Sequence, residues 1–145
     1  MYESLGKWIS IIHRYSRNFV DKEFAEFDIK GGYLQFVHAL YRHGGLSQDE
    51  LSEALGMDKT TTARVIKELV ELGYVAKKHD CHDKRFCRLS LTAKGKDIVP
   101  RLERTLKRWT EVLGTGFTQD ERQLAIVMLK KMAENAVAFK QRGFS

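Results

Sequence analysis

The sequence predicts a mainly α chain with one small β hairpin, and three observations carry that prediction. Residues 47–56 and 58–73 each have the start and stop signals of a short helix, with a glycine between them. Immediately afterwards, Tyr74 to Lys78 and Phe86 to Leu91 have strand composition and flank a charged tip. On either side of this block, apolar residues recur at helical spacing over long segments. Two short helices around a glycine turn, backed by a hairpin, make a winged helix-turn-helix. The outer segments flank it with long N- and C-terminal dimerisation helices.

In chain order, Leu5, Trp8, Ile9, Ile12, Tyr15, Phe19 and Val20 fall on one face of a helix over roughly residues 3–24. Ile29-Lys30-Gly31-Gly32 interrupts it. Tyr33, Phe36, Val37, Leu40 and Tyr41 define a second helix that stops at Gly44-Gly45. Ser47 and Glu50 have the spacing of a capping box, in which the serine hydroxyl accepts from a free backbone N–H and the glutamate reaches back. Leu51, Ala54 and Leu55 form the apolar face of that helix, and Gly56 is placed to end it with positive φ. Asp58 suits the N-cap of the next helix and Gly73 its end, with Thr62, Val65, Ile66, Leu69 and Leu72 as the buried stripe. Thr62 is the polar member, and its hydroxyl needs a partner.

Beyond the hairpin, Thr92 opens a helix whose stripe is Ile98, Val99, Leu102, Leu106, Trp109 and Leu113. Pro100 lies inside it, removing an N–H and crowding the preceding turn, so a kink or break is expected near residues 97–100. Gly114-Thr115-Gly116 ends it. Thr118 with Glu121 is a second capping box, opening a last helix that carries Leu124, Val127, Met128, Met132, Ala136 and Phe139.

A length of 145 residues suits one domain over residues 1–145. Within it we expect a winged lobe at 30–92 and dimerisation helices at 1–28 and 93–145. The lobe is too small to cover every apolar face of the long helices, which points to a second copy of the chain as their partner. Hydrophobic content of 43% and charged content of 30% are ordinary for a soluble protein. No run of about 18 apolar residues exists to span a membrane, and the N-terminus lacks the layout of a signal peptide. The two cysteines are expected as reduced thiols of a cytoplasmic protein.

Net charge is +6, which favours a polyanionic partner. Its distribution is more telling. From Asp58 to Ser90 there are eight Lys/Arg and five acids, with His79 and His82 in addition. In a helix-turn-helix, the second helix enters the DNA major groove first with its N-terminal turns. Thr60, Thr61 and Arg64 occupy that position, opposite Val65, Leu69 and Leu72. An arginine there can bind guanine bidentately or clamp a phosphate. Ser47, Lys59 and Lys67 suit phosphates. In the wing, Lys84 and Arg85 are the candidates for a narrow minor groove, and Asp80 and Asp83 for holding the tip through arginine pairs.

Cys81 and Cys87 lie in the wing and leave three readings open: incidental thiols, a thiol switch helped by nearby cations, or a metal site with His79 and His82. Their spacing matches no paired Cys-x-x-Cys zinc pattern, so no metal is assigned. No cofactor is expected either. The chain carries no Gly-rich phosphate loop, no nucleophile elbow and no His-Glu-x-x-His, so it is not read as an enzyme. The rival reading is a winged helix used for protein contacts without specific DNA binding. Such a module would have no need of Arg64 or the wing cations.

Over nearly its whole length, and most sharply from Leu46 to Gly95, the chain resembles the MarR family of winged-helix regulators. The resemblance is carried by Leu46-Ser47-Gln48-Asp49-Glu50-Leu51, Asp58-Lys59-Thr60-Thr61-Thr62-Ala63-Arg64, Leu72-Gly73-Tyr74-Val75 and Leu91-Thr92-Ala93-Lys94-Gly95. Asp80-Cys81-His82-Asp83-Lys84-Arg85 is similar to the family's Asp-x-Arg-Asp-Arg-Arg wing, keeping both Asp and the final Arg. It has His82 and Lys84 where the family usually has Arg. The resemblance implies a homodimeric cytoplasmic transcription factor on a pseudo-palindromic double-stranded DNA site. It implies a repressor released by a small aromatic or anionic ligand or by cysteine oxidation. It favours Arg85 over Lys84 in the minor groove. It also implies an effector crevice, for which Trp8, Ile12, Tyr15, Arg17, Tyr33 and Trp109 are the candidate lining.

Overall fold

A computed structural model describes residues 3–78, 82–83 and 87–143. Seven helices and one hairpin are present among them: α1 (Leu5–Glu23), α2 (Leu34–Arg42), α3 (Gln48–Leu55), α4 (Lys59–Glu71), β1 (Val75–Lys78), β2 (Arg88–Leu91), α5 (Ala93–Asp97), α6 (Val99–Leu113) and α7 (Gln119–Gln141). A single 3₁₀ turn, Gly31–Tyr33, leads into α2. None of these helices is long and apolar enough to cross a membrane.

The caps expected at Asp58, Thr92 and Thr118 form, and Ser4 adds one at α1; each accepts from a backbone N–H three residues on. Gly56 adopts φ +61° after α3, a conformation that other residues enter at a steric cost. At Thr118 both halves of the capping box are made, with the Glu121 side chain returning to the Thr118 N–H. At Ser47 only the first half is. Its hydroxyl accepts from Glu50 N at 3.1 Å, but the Glu50 carboxylate turns instead to Arg88 at 3.3 Å. The box expected there is therefore half a box, because a cation on the wing competes for the glutamate.

Pro100 separates α5 from α6, as its missing N–H dictates: α5 ends at Asp97 and α6 begins at Val99. Thr62 is fully buried, and its hydroxyl donates to Asp58 O at 3.0 Å, which supplies the partner it needed. Val37, Leu51, Ile66, Leu69 and Leu89 are fully buried, so α2, α3, α4 and β2 share one apolar centre.

β1 and β2 are antiparallel, with Val75 opposite Leu91 and Lys78 opposite Arg88. The described pairing begins at Arg88, and Phe86 of the expected second strand lies outside the described residues. The chain entering α3 adds a third edge. Gly45 N donates to Leu89 O at 3.1 Å and Leu89 N donates to Leu46 O at 2.8 Å. Behind the hairpin, Thr92 Oγ1 donates to Gly73 O at 2.5 Å, and Lys94 Nζ donates to Leu72 O at 2.7 Å and Asp28 Oδ2 at 3.1 Å. Tyr74, almost fully buried, donates to the same aspartate.

Packing divides the chain between Trp109 and Thr110 into two compact units. The first contains α1 to α5 and most of α6, so the winged lobe packs together with segments expected to serve only in dimerisation. The second is mainly α7, which buries none of its residues and exposes Leu124, Val127, Met128, Leu129 and Phe139.

Candidate nucleic-acid interface

The interface is built on the first turns of α4. Asp58 starts the helix by accepting from Thr61 N at 2.7 Å, and it also accepts from the Thr61 hydroxyl at 2.9 Å. Burial of Val65, Ile66 and Leu69 then fixes the rotation of α4. The opposite face, with Thr60, Arg64 and Lys67, is exposed. These positions are four and three residues apart, so they line one stripe of the helix. Thr61 is half-buried, with its hydroxyl engaged by the cap.

The expected phosphate contacts divide. Lys67 stands on the exposed stripe. Lys59 pairs with Asp49 at 3.5 Å, with both side chains largely in solvent, and such a pair is weak enough for a phosphate to displace. Ser47 is buried and its hydroxyl caps α3, so its role is to position the helix. Of the wing, Lys84, Arg85, Asp80 and Cys81 lie outside the described residues. Asp83 is half-buried. Arg88 at the root of the wing reaches across to Glu50 on α3, a link between residues 38 apart that local spacing does not reveal.

Cys87 is disulfide-bonded, contrary to the reduced thiol expected. Cys87 directly precedes Arg88, which faces Lys78 at the end of the ladder, so the base of the hairpin fixes where its sulfur is presented. No cluster of metal-ligating side chains occurs among the described residues.

A cavity of about 380 Å³ opens beside the lobe, with Leu34, Leu55 and Leu102 in its walls and His13, Arg17 and His38 as polar groups. Arg17 is the one residue of the expected lining that borders it. Trp8, Ile12 and Tyr15 lie on the exposed face of α1. Trp109 stacks on Phe19 with ring centroids 5.1 Å apart. Tyr33 is buried and points at α4. The residues missed are His13, His38, Arg42 and His43. Positions 38 and 42 are one turn apart on the polar flank of α2, which is the signal that could have found them. His38 also approaches Glu103 at 3.8 Å.

A capped helix pair, a cationic stripe on its second helix and a hairpin pinned to its first define a winged helix-turn-helix protein. Comparison with known proteins agrees. The MarR family model matches residues 27–85. The uncharacterized HTH-type transcriptional regulator YybA of Bacillus subtilis is 32% identical over 127 residues, which cover 88% of this chain and 85% of YybA. A MarR transcriptional regulator from Methanosarcina mazei has a similar structure, with a TM-score of 0.81 and 36% identity over 93% of this chain and 97% of that one. A putative MarR family regulator from Listeria monocytogenes, solved with a 26mer DNA, matches with a TM-score of 0.84 and 27% identity over 98% of this chain and 97% of its own. The chain belongs to the MarR family.

Proposed function

We propose that this protein is a homodimeric transcriptional regulator that binds a pseudo-palindromic double-stranded DNA site through α4 and the wing. The observation that carries the reading is the exposed Thr60–Arg64–Lys67 stripe, set opposite the buried face of a helix that a fixed cap and turn project outward. The Listeria relative solved with DNA supports the same use of the fold. Arg64 reads a base edge, Lys59 and Lys67 bind phosphates, and Lys84 and Arg85 enter the minor groove.

The apolar faces of α1 and α7 are covered by a second copy. Trp8, Ile12 and Tyr15 on α1, and Leu124, Val127 and Leu129 on α7, are all more than 40% exposed in the single chain, an unusual outlay of large apolar side chains on a monomer. Two recognition helices then lie about one DNA turn apart, roughly 34 Å. The protein acts in the cytoplasm as a repressor. A small aromatic acid seated in the cavity, with its carboxylate on Arg17, releases it from DNA. The Cys87 disulfide does the same, so the reduced form is the one held on DNA.

Titration onto the DNA upstream of the gene, beside a scrambled duplex and across a salt series, tests the reading. Tight sequence-dependent binding with a log–log salt slope of about −5, as expected if roughly six phosphates are neutralised, supports it. Equal weak binding to both duplexes counts against it. Sedimentation tests the dimer, and a shift of melting temperature and DNA affinity with salicylate tests the effector class.

A further inference from the structure

Arg64 has the flexibility of any exposed arginine, and side chains of this type carry about 2 kcal/mol of rotamer entropy. One turn further along α4 stands Glu68. An arginine and a glutamate four apart on a helix face attract each other, and a direct pair would swing the guanidinium back along α4 and cancel its charge. No such pair forms. The Tyr33 hydroxyl lies between them: it donates to Glu68, and Arg64 Nη1 donates to it at 3.5 Å. A phenol has one proton to give and lone pairs to receive, so both bonds can be made together, each polarising the other.

Tyr33 is suited to hold that place because it is itself fixed. It closes the 3₁₀ turn at Gly31–Tyr33, its N–H donates to Lys30 O at 2.9 Å, and only 7% of it is exposed. The Lys30 ammonium sits 5.5 Å from its ring centroid. Gly31 and Gly32, which precede it, border the cavity, and Arg17 closes so tightly over Gly32 that an added Cβ would lie 2.5 Å from its Nη1.

We propose that Tyr33 is a positioning residue for Arg64: its hydroxyl occupies the Glu68 carboxylate and holds the guanidinium, uncancelled, in one place from which it meets a base edge. The inference rests on the reading of Arg64 as a DNA contact. Tyr33 touches no DNA in this account, and its effect passes entirely through Arg64.

The test measures the ratio of affinities for the upstream operator duplex and for the scrambled duplex in wild type, Tyr33→Phe, Arg64→Ala and the double variant. Tyr33→Phe lowers the ratio about tenfold, the size of one hydrogen bond to a charged group, and flattens the preference at the base pair Arg64 reads. In the Arg64→Ala background it changes nothing further. Removing the charge that competes for Arg64, by Glu68→Gln in the Tyr33→Phe background, restores much of the ratio. If Tyr33→Phe proves unstable, as judged by melting temperature, Glu68→Ala replaces it: with no fixed acceptor the hydroxyl loses its direction, and the ratio falls roughly threefold only when Arg64 is present. An unchanged ratio in folded Tyr33→Phe overturns the inference, as does an equal drop with and without Arg64. If Arg64→Ala itself leaves the ratio unchanged, the DNA role of Arg64 fails first and there is nothing to position.

Discussion

Tyr74 donates to the carboxylate of Asp28 across 46 positions of sequence, and Lys94 reaches the same carboxylate at 3.1 Å. The segment after α1, the start of the wing and the first turn of α5 therefore meet at one acid. The Tyr74 hydroxyl, followed by the Lys94 ammonium, holds the Asp28 carboxyl below the ordinary carboxylate range.

A depressed folded-state value has a definite sign in stability. The contribution of Asp28 is fully present above its unfolded pKa and disappears as pH falls through the folded one. Asp28→Asn should therefore lower the melting temperature by a constant amount between about pH 7 and pH 5, and the gap to wild type should close below about pH 4. Thermal melts across that range check it, and a gap independent of pH to the acid limit would show that the carboxylate charge is not involved. Tyr74 shows the opposite displacement. Burial first, and then the Asp28 bond, push its phenol well above the ordinary range. Stability from Tyr74 is thus intact below about pH 10 and lost as pH rises beyond it.

Gly95→Ala should destabilise the fold by about 1–3 kcal/mol, because a Cβ there meets backbone as well as side chains. It would lie 2.3 Å from Tyr74 O and 3.2 Å from Leu91 Cδ2. Gly6→Ala is the control, since the nearest atom to its Cβ is Ser4 Oγ at 3.5 Å. That change should be neutral or raise stability by up to about 1 kcal/mol, the usual gain from alanine in a helix. Denaturant melts should show a loss for Gly95→Ala and none for Gly6→Ala.

Arg64→Ala should weaken operator binding by about 1–3 kcal/mol and relax preference at one base pair, whereas Lys67→Ala should weaken binding to all sequences alike and flatten the salt slope by about one unit. Equal losses on every duplex for both variants would reduce Arg64 to a phosphate contact. Binding to a panel of operators with single base-pair changes distinguishes the two outcomes.

Replacing Lys84 and Arg85 together by alanine should reduce affinity most for operators with an A·T-rich flank, where the minor groove is narrow. Competition between A·T-rich and G·C-rich flanks is the measurement, and unchanged binding to both would remove the wing from the interface.

Treatment with a thiol reductant should raise operator affinity, and a Cys87→Ser variant should lose that response. Affinity that is the same with and without reductant would leave the Cys87 disulfide as a purely structural feature.

The parts legible in the sequence are those whose physics is local. The caps at Asp58, Thr92 and Thr118 each act within three residues, and the Pro100 break follows from one missing N–H. The exposure of Thr60 and Arg64 could be read from the period of the buried stripe. What escaped are contacts between distant elements. Glu50 leaves its own helix start for Arg88, and Tyr33, an aromatic residue expected in the effector crevice, turns to Glu68 35 positions away. Spacing says which face a residue occupies, but not which neighbour its polar atom finds once that face is packed. The same limit explains the cavity, where the aromatic residues of α1 stay outward and imidazoles and guanidiniums supply the polar wall.

Leu89 is fully buried, its N–H is bound to Leu46 O at 2.8 Å and its carbonyl accepts from Gly45 N. An amide of this kind exchanges with solvent only when β2 and the approach to α3 come apart. The wing root and the helix-turn-helix thus belong to one cooperative opening unit. Deuterium uptake at Leu89 should therefore be as slow as in the middle of α4.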